Sequence, residues 1–251
     1  MKINANFRLF ASTNFDATKY IASPAYGVNR FMLDRVGDEK ARATTIVEYA
    51  PNSSFPRHEH IGGEEFLVLK GTFKDQYGHF PAGSNGYYVR NPIGSAHAPW
   101  VDDDGCTIMV KLLQMAETEG EGKEPLHIDL GEEKVSRGKK VDFGTVLDLY
   151  DNSYTGEHVE MCWIDPGAGL PSSEKSQQEG EELFILEGSL QLGDKEEFSK
   201  WGWLRFPRQS SASDNLRSEL KAGSKGAQVY RKIGHLTEEA MKKEKIQILE
   251  D

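Results

Sequence analysis

The chain repeats itself, and that repetition limits its fold more than any other feature. "GEEFLVLKG" at 63–71 returns as "GEELFILEG" at 180–188. Upstream, "VEYAPNSSFP" at 47–56 lines up with "MCWIDPGAGLP" at 161–171. Downstream, "YYVRNPIGS" at 87–95 lines up with "GWLRFPRQS" at 202–210. Three matched segments in the same order indicate a duplicated domain. The copies cover about residues 25–116 and 143–235. The expected division is a first domain over 1–116, which adds N-terminal strands, a linker over 117–142, a second domain over 143–235 and a charged tail or short helix over 236–251. The linker reading rests on its polar, Gly-rich composition, and the tail helix on Thr237 as its cap.

Between frequent Gly and Pro residues lie short runs such as "ARATTIVEYAP" and "CTIMVKLLQM", rich in β-branched and aromatic residues. Long helical periodicity is nearly absent, so the class is all-β, a sandwich or barrel in each copy. At 251 residues there is room for a proper core. A net charge of −10 argues against nucleic acid or an anionic membrane as partner. Two cysteines far apart, Cys106 and Cys162, make neither a disulfide framework nor a CxxC metal site and read as small core residues. No run reaches the roughly 18 apolar residues of a membrane helix, and the first twenty residues lack the apolar core of a signal peptide. A cytoplasmic location is the expectation.

Two of the seven histidines stand one residue apart in "PRHEHIGGEEFLVLKG". On a strand, His58 and His60 face one side and Glu59 the other. Ile61-Gly62-Gly63 turns the chain, and Glu64 opens the next strand with Phe66 and Val68 on its own face. His97, in "RNPIGSAHAPW", offers a fourth group. Three imidazoles and a carboxylate suit one divalent transition ion: iron, zinc, nickel, manganese or cobalt. The plainer alternative, a buried hydrogen-bonded cluster, leaves four polar groups turned inward. Glu64 and Glu65 face opposite ways. Glu64 is the expected ligand, with Glu65 as the alternative if the register shifts.

These residues resemble the two motifs of the cupin family. The first motif is Gly, five residues, His-x-His, three or four residues, Glu, six residues, Gly. His58, His60, Glu64 and Gly71 meet it, with Asn52 in place of the leading glycine. The second is Gly, five residues, Pro-x-Gly, two residues, His. Gly86, Pro92, Gly94 and His97 meet it, with Val101 in place of the asparagine that often closes it. Over about residues 24–116 the chain is similar to the cupin domain of the ChrR family of anti-sigma regulators, and more loosely beyond. The resemblance implies double-stranded β-helix (jelly-roll) barrels, here duplicated as a bicupin, with one metal held by His58, His60, Glu64 and His97. ChrR regulators also carry an N-terminal zinc-binding anti-sigma domain of His and Cys. The residues before 25 hold neither type, so a sigma factor is not the expected partner.

Aligned through Gly188, the second copy places Lys175 and Gln177 where the paired histidines would be, keeps Glu181, and puts Ala212 in place of His97. It is expected to be a metal-free barrel in which Lys175 pairs with Glu181. His79, His127 and His235 read as solvated. Tyr87, Tyr88 and Trp100 flank the second motif as packing or pocket residues, and Glu48 or Tyr77 are within reach of a pocket. The expected function is a metal-dependent enzyme of dioxygenase type acting on a small organic molecule. The alternatives are a metal-dependent sensor related to ChrR and a metal-stabilised structural barrel. The outward Leu67 and Leu69 need cover, which one copy packing on the other or a dimer would give, and a homodimer is the expectation.

Overall fold

The structure, a computed structural model, describes residues 1–116, 124–194, 196–208 and 211–236. The expected tail helix from Thr237 and the 117–123 part of the expected linker lie outside the described residues. The described chain is all-β with two compact units, each built on its own antiparallel sheet, as a duplicated jelly-roll requires.

The first sheet runs Lys2–Ile3, Val28–Gly37, Ala41–Tyr49, Cys106–Leu112, Glu64–Asp75, Tyr87–Asn91, Leu126–Asp129. The second runs Lys139–Val141, Gly144–Asn152, Glu157–Ile164, Leu220–Ile233, Glu181–Leu192, Trp203–Phe206, Ala11–Thr13. These seven-strand paths match strand for strand, with Ile21–Ala22 and Gly78–Pro81 added beside the first and Glu196–Phe198 beside the second. Alternation explains both cores, since residues two apart share a face. In the first unit Phe66, Val68, Val89, Ile108 and Val110 meet inside. In the second, Leu183, Ile185, Leu204, Cys162 and Val229 do.

Glycine serves the same purpose in each copy. Gly71 has φ +72°, and a Cβ there would lie 2.1 Å from the Gly105 carbonyl oxygen. Gly188 has φ +75°, and a Cβ there would meet the Gly226 carbonyl at the same 2.1 Å. Asn52, the departure from the first motif, has φ +58°. Asparagine is among the few L residues that tolerate this region, so the backbone shape survives loss of the glycine.

The unit boundaries differ from the expected ones. Residues Asn6–Phe15 belong to the second unit, where Ala11–Thr13 pairs with Trp203–Phe206. Within the expected linker, Leu126–Asp129 pairs with Tyr87–Asn91 in the first unit, and Lys139–Val141 pairs with Gly144–Asn152 in the second. Edge pairing uses main-chain hydrogen bonds, which polar composition does not forbid.

Besides the short Ile21–Ala22 strand, a two-stranded piece of the first unit has no strand counterpart in the second. His58–Glu59 and Ala96–His97 form a separate two-stranded sheet, with His58 directly opposite His97. The corresponding stretches of the second unit are helices, Glu174–Glu179 and Ser211–Ser218.

Candidate metal centre

The two-stranded sheet brings His58 and His97 face to face, the turn after His60 returns the chain, and Glu64 enters from the adjoining strand. One possible ligand atom from each of His58, His60, Glu64 and His97 lies within 4.8 Å of the others. The imidazole centroids are 4.6 to 5.1 Å apart. Glu65 turns the other way and pairs with Arg90 at 3.0 Å, so alternation selects Glu64 for this cluster.

Each imidazole is pinned through Nδ1. His58 Nδ1 lies 2.9 Å from the Pro56 carbonyl oxygen, and His97 Nδ1 lies 3.0 Å from Asp75 Oδ2. Both partners only accept, so both nitrogens carry the proton. His60 Nδ1 lies 2.9 Å from Ser95 Oγ, whose own hydrogen goes to the Pro92 carbonyl at 2.6 Å. The hydroxyl therefore accepts, and His60 Nδ1 donates. With Nδ1 donating in all three rings, Nε2 is the atom each ring can offer to an ion when neutral.

Two of those atoms face a carboxylate. Nε2 of His60 and of His97 are buried without a hydrogen-bond partner, and each stands 3.4 Å from Glu64 Oε2. The same oxygen accepts from Asn91 Nδ2 at 3.1 Å. Burial pushes the His60 imidazole down to about 4, against the pull of Glu64, so it is neutral near pH 7. Burial also opposes charge on His97, but the Asp75 hydrogen bond and the Glu64 charge outweigh it and raise its pKa.

A cavity of about 460 Å³ opens onto His58, His60 and Glu64. Its apolar walls include Val47, Tyr49, Phe55, Ile108 and Val110. Tyr87, Tyr88 and Trp100 do not line it, nor do Glu48 and Tyr77, both exposed. Cys106 and Cys162 are buried free thiols, and burial pushes the Cys106 thiol up to about 12.

In the second unit Glu181 keeps its place, but its partners differ from the expected Lys175, which sits on the Glu174–Glu179 helix. Arg231 Nε reaches Glu181 Oε2 at 2.7 Å, and Arg217 Nε bonds the other carboxylate oxygen. Arg231 also holds Glu160 at 3.1 Å. Both arginines lie at least thirty residues beyond Glu181, where motif matching gave no sign of them. His235 is buried against Glu182 rather than solvated, because the Leu220–Ile233 strand carries it inward. A second grouping of possible ligands, Asp148, His158 and Glu160, was not anticipated. It is open to solvent at Asp148, and Glu160 is engaged by Arg231.

Residues 10–116 match the ChrR cupin-like domain family. No curated protein matches the sequence. Among solved structures, a protein of Nostoc punctiforme PCC 73102, provisionally assigned as a dioxygenase, aligns at TM-score 0.62 and 14% identity, covering 93% of this chain and 81% of its own. Pirin YhhW of Escherichia coli, solved with nickel(II), aligns at 0.59 and 10%, covering 90% and 98%. A variant of salicylate 1,2-dioxygenase from Pseudoaminobacter salicylatoxidans aligns at 0.51 and 11%, covering 80% and 72%. At these identities the likeness establishes the fold alone. No helix among the described residues is long and apolar enough to cross a membrane.

Proposed function

We propose that this chain, whose residues 10–116 match the ChrR cupin-like domain family, binds one divalent transition metal at His58, His60, Glu64 and His97 and is a metal-dependent enzyme of dioxygenase type acting on a small organic molecule. One observation carries the metal reading. Two buried Nε2 atoms without a hydrogen-bond partner converge within 3.4 Å of one carboxylate oxygen, with every Nδ1 already committed. Polar atoms left unpartnered in a low-dielectric interior are costly, and a cation held between neutral imidazoles and the carboxylate would satisfy them together. Asp75, Ser95 and the Pro56 carbonyl supply the outer hydrogen bonds that fix ligating histidines.

The enzyme reading rests on the cavity. It meets the cluster from one side, so a small molecule inside would lie against the metal ligands while the apolar walls exclude water. A bound ion would supply Lewis acidity and, if iron, reactivity toward dioxygen. The dioxygenase names among the structural neighbours favour that class. The family match favours a second reading, a metal-dependent sensor in which ligand binding rather than turnover is the output.

Metal analysis by mass spectrometry on protein purified without a histidine tag tests the first step. One equivalent of a single transition metal per chain is expected, and no metal even after soaking would overturn the proposal. Oxygen consumption with small diketones, catechols and hydroxy-ketones then separates enzyme from sensor. Ligand-dependent stabilisation without turnover would select the sensor.

A further inference from the structure

The cavity beside the cluster has a second chemical feature that metal binding does not use. In a chain of net charge −10, its wall includes Arg30, Arg35 and Lys40, alongside Glu39 and Glu59. Arg35 is only 4% exposed, yet its Nε is buried with no hydrogen-bond partner. The Nε of Arg30 is likewise buried and unpartnered. The outer ends of these side chains are occupied: Arg30 by Glu39 at 3.1 Å, and Arg35 by the Asp38 carbonyl. Thr45 Oγ1, on the same cavity wall, is buried and unpartnered as well.

The backbone accounts for Arg35. Val28, Arg30 and Met32 pair with Tyr49, Val47 and Thr45, and then the register slips between Met32 and Asp34. Beyond the slip, Arg35 pairs with Ala43. The partners 43, 45, 47 and 49 alternate regularly, so they share a face. The bulge therefore moves Arg35 onto the inner face beside Arg30 and leaves Asp34 on the other, where it accepts from the Thr44 N–H at 2.8 Å. Burial, and next the charge of Arg30, hold the Arg35 guanidinium below its usual pKa. Glu39 and Asp38 offset part of this, but the buried Nε stays without an acceptor, and an anion in the cavity would supply one.

We infer that the first barrel takes a small carboxylic acid with an apolar or aromatic body, its carboxylate received by Arg35 and Arg30 and its body held among Val47, Phe55, Ile108 and Val110. This deepens the proposed function and rests on that reading for the metal at the other side of the same cavity. The unpartnered Nε–H groups of Arg35 and Arg30 can donate to a carboxylate, and Thr45 Oγ1 adds a donor. The apolar walls suit a singly charged acid with a hydrophobic body better than a strongly hydrated phosphate dianion.

Isothermal titration of the metal-loaded full chain tests this with four acids, benzoate, phenylacetate, 3-phenylpropionate and hexanoate, each against its neutral amide. At least one acid should bind at least tenfold more tightly than its amide. Arg35→Gln should remove that preference, and Arg35→Lys should retain part of it. Arg30→Gln, nearer solvent, should weaken acid binding several-fold and serves if the Arg35 variants do not fold. No acid preference in the unaltered chain would overturn the inference. So would a preference unchanged in the folded arginine variants, which would assign the carboxylate to the metal instead. The metal content measured on the same samples separates the two readings. Metal without an arginine-dependent acid preference leaves the metal centre standing, and an arginine-dependent preference without metal leaves only the acid site.

Discussion

The two units place a glutamate at the same point of the same strand and surround it differently. Glu181 is held by two guanidiniums, those of Arg217 and Arg231, which bring their own charge. Glu64 is surrounded by three imidazoles whose Nδ1 protons are all directed outward. A buried carboxylate needs positive charge. The second unit supplies it from its own side chains, whereas the first presents a cluster that could hold a metal ion. The backbone changes with the chemistry. Where the first unit pairs His58–Glu59 with Ala96–His97, the second has the Glu174–Glu179 and Ser211–Ser218 helices, and the latter delivers Arg217 to Glu181. Where the glutamate has no imidazole neighbours, as in the second unit, arginines pair it instead.

This contrast can be broken most sharply at the glutamates. Glu64→Gln should lower metal content, read by mass spectrometry, from about one equivalent to a small fraction of one, whereas Glu65→Gln should leave it unchanged. If Glu65→Gln empties the site, the register assigned to that strand is wrong. Next in size, Arg231→Met should destabilise the chain by about 3–5 kcal/mol in urea denaturation, because Glu160 and Glu181 lose a buried partner. Metal content should not change, and a loss of metal there would refute the division of labour between the units. Asp75→Asn keeps an acceptor for His97 but removes its charge, so metal affinity should fall roughly tenfold in competition with a chelator.

A smaller effect concerns His158. The Glu160 hydrogen bond, against opposing burial and with help from Asp151 and Asp148, raises its pKa above 6.5. Its stabilising contribution is complete below about pH 6.5 and is lost as pH rises through the folded value. An NMR titration midpoint at or below 6.5 would contradict this. Smallest of all is the reaction of Cys106 and Cys162 with a disulfide reagent. Both thiols are buried with raised pKa, so neither should react until the chain unfolds, and rapid native labelling would show access that the structure does not.

Much of this was legible in residue order. Two-residue periodicity identified the strands and chose Glu64 over Glu65, and motif spacing picked out His58, His60 and His97 as a group. Departures from the motifs were legible as well, and Asn52 kept the left-handed turn that a glycine would have filled. What escaped involved partners distant in sequence. Arg217 and Arg231 replaced the expected Lys175, because nothing local marks which cation a buried carboxylate will meet. His235 gave no sign of burial against Glu182, and the polar segments at 126–129 and 139–141 gave none of being strands, since edge pairing depends on an available neighbour.

By itself, the sequence determined the duplication, the all-β class and the four residues of the candidate centre, because alternation and short motif spacing are local properties of a pleated chain. Only the tertiary structure decided that Glu181 is matched by arginines, that Asn6–Phe15 joins the second unit, and that a bulge after Met32 turns Arg35 into the cavity. Those outcomes depend on which strands pair and where their register slips, and long-range packing sets both.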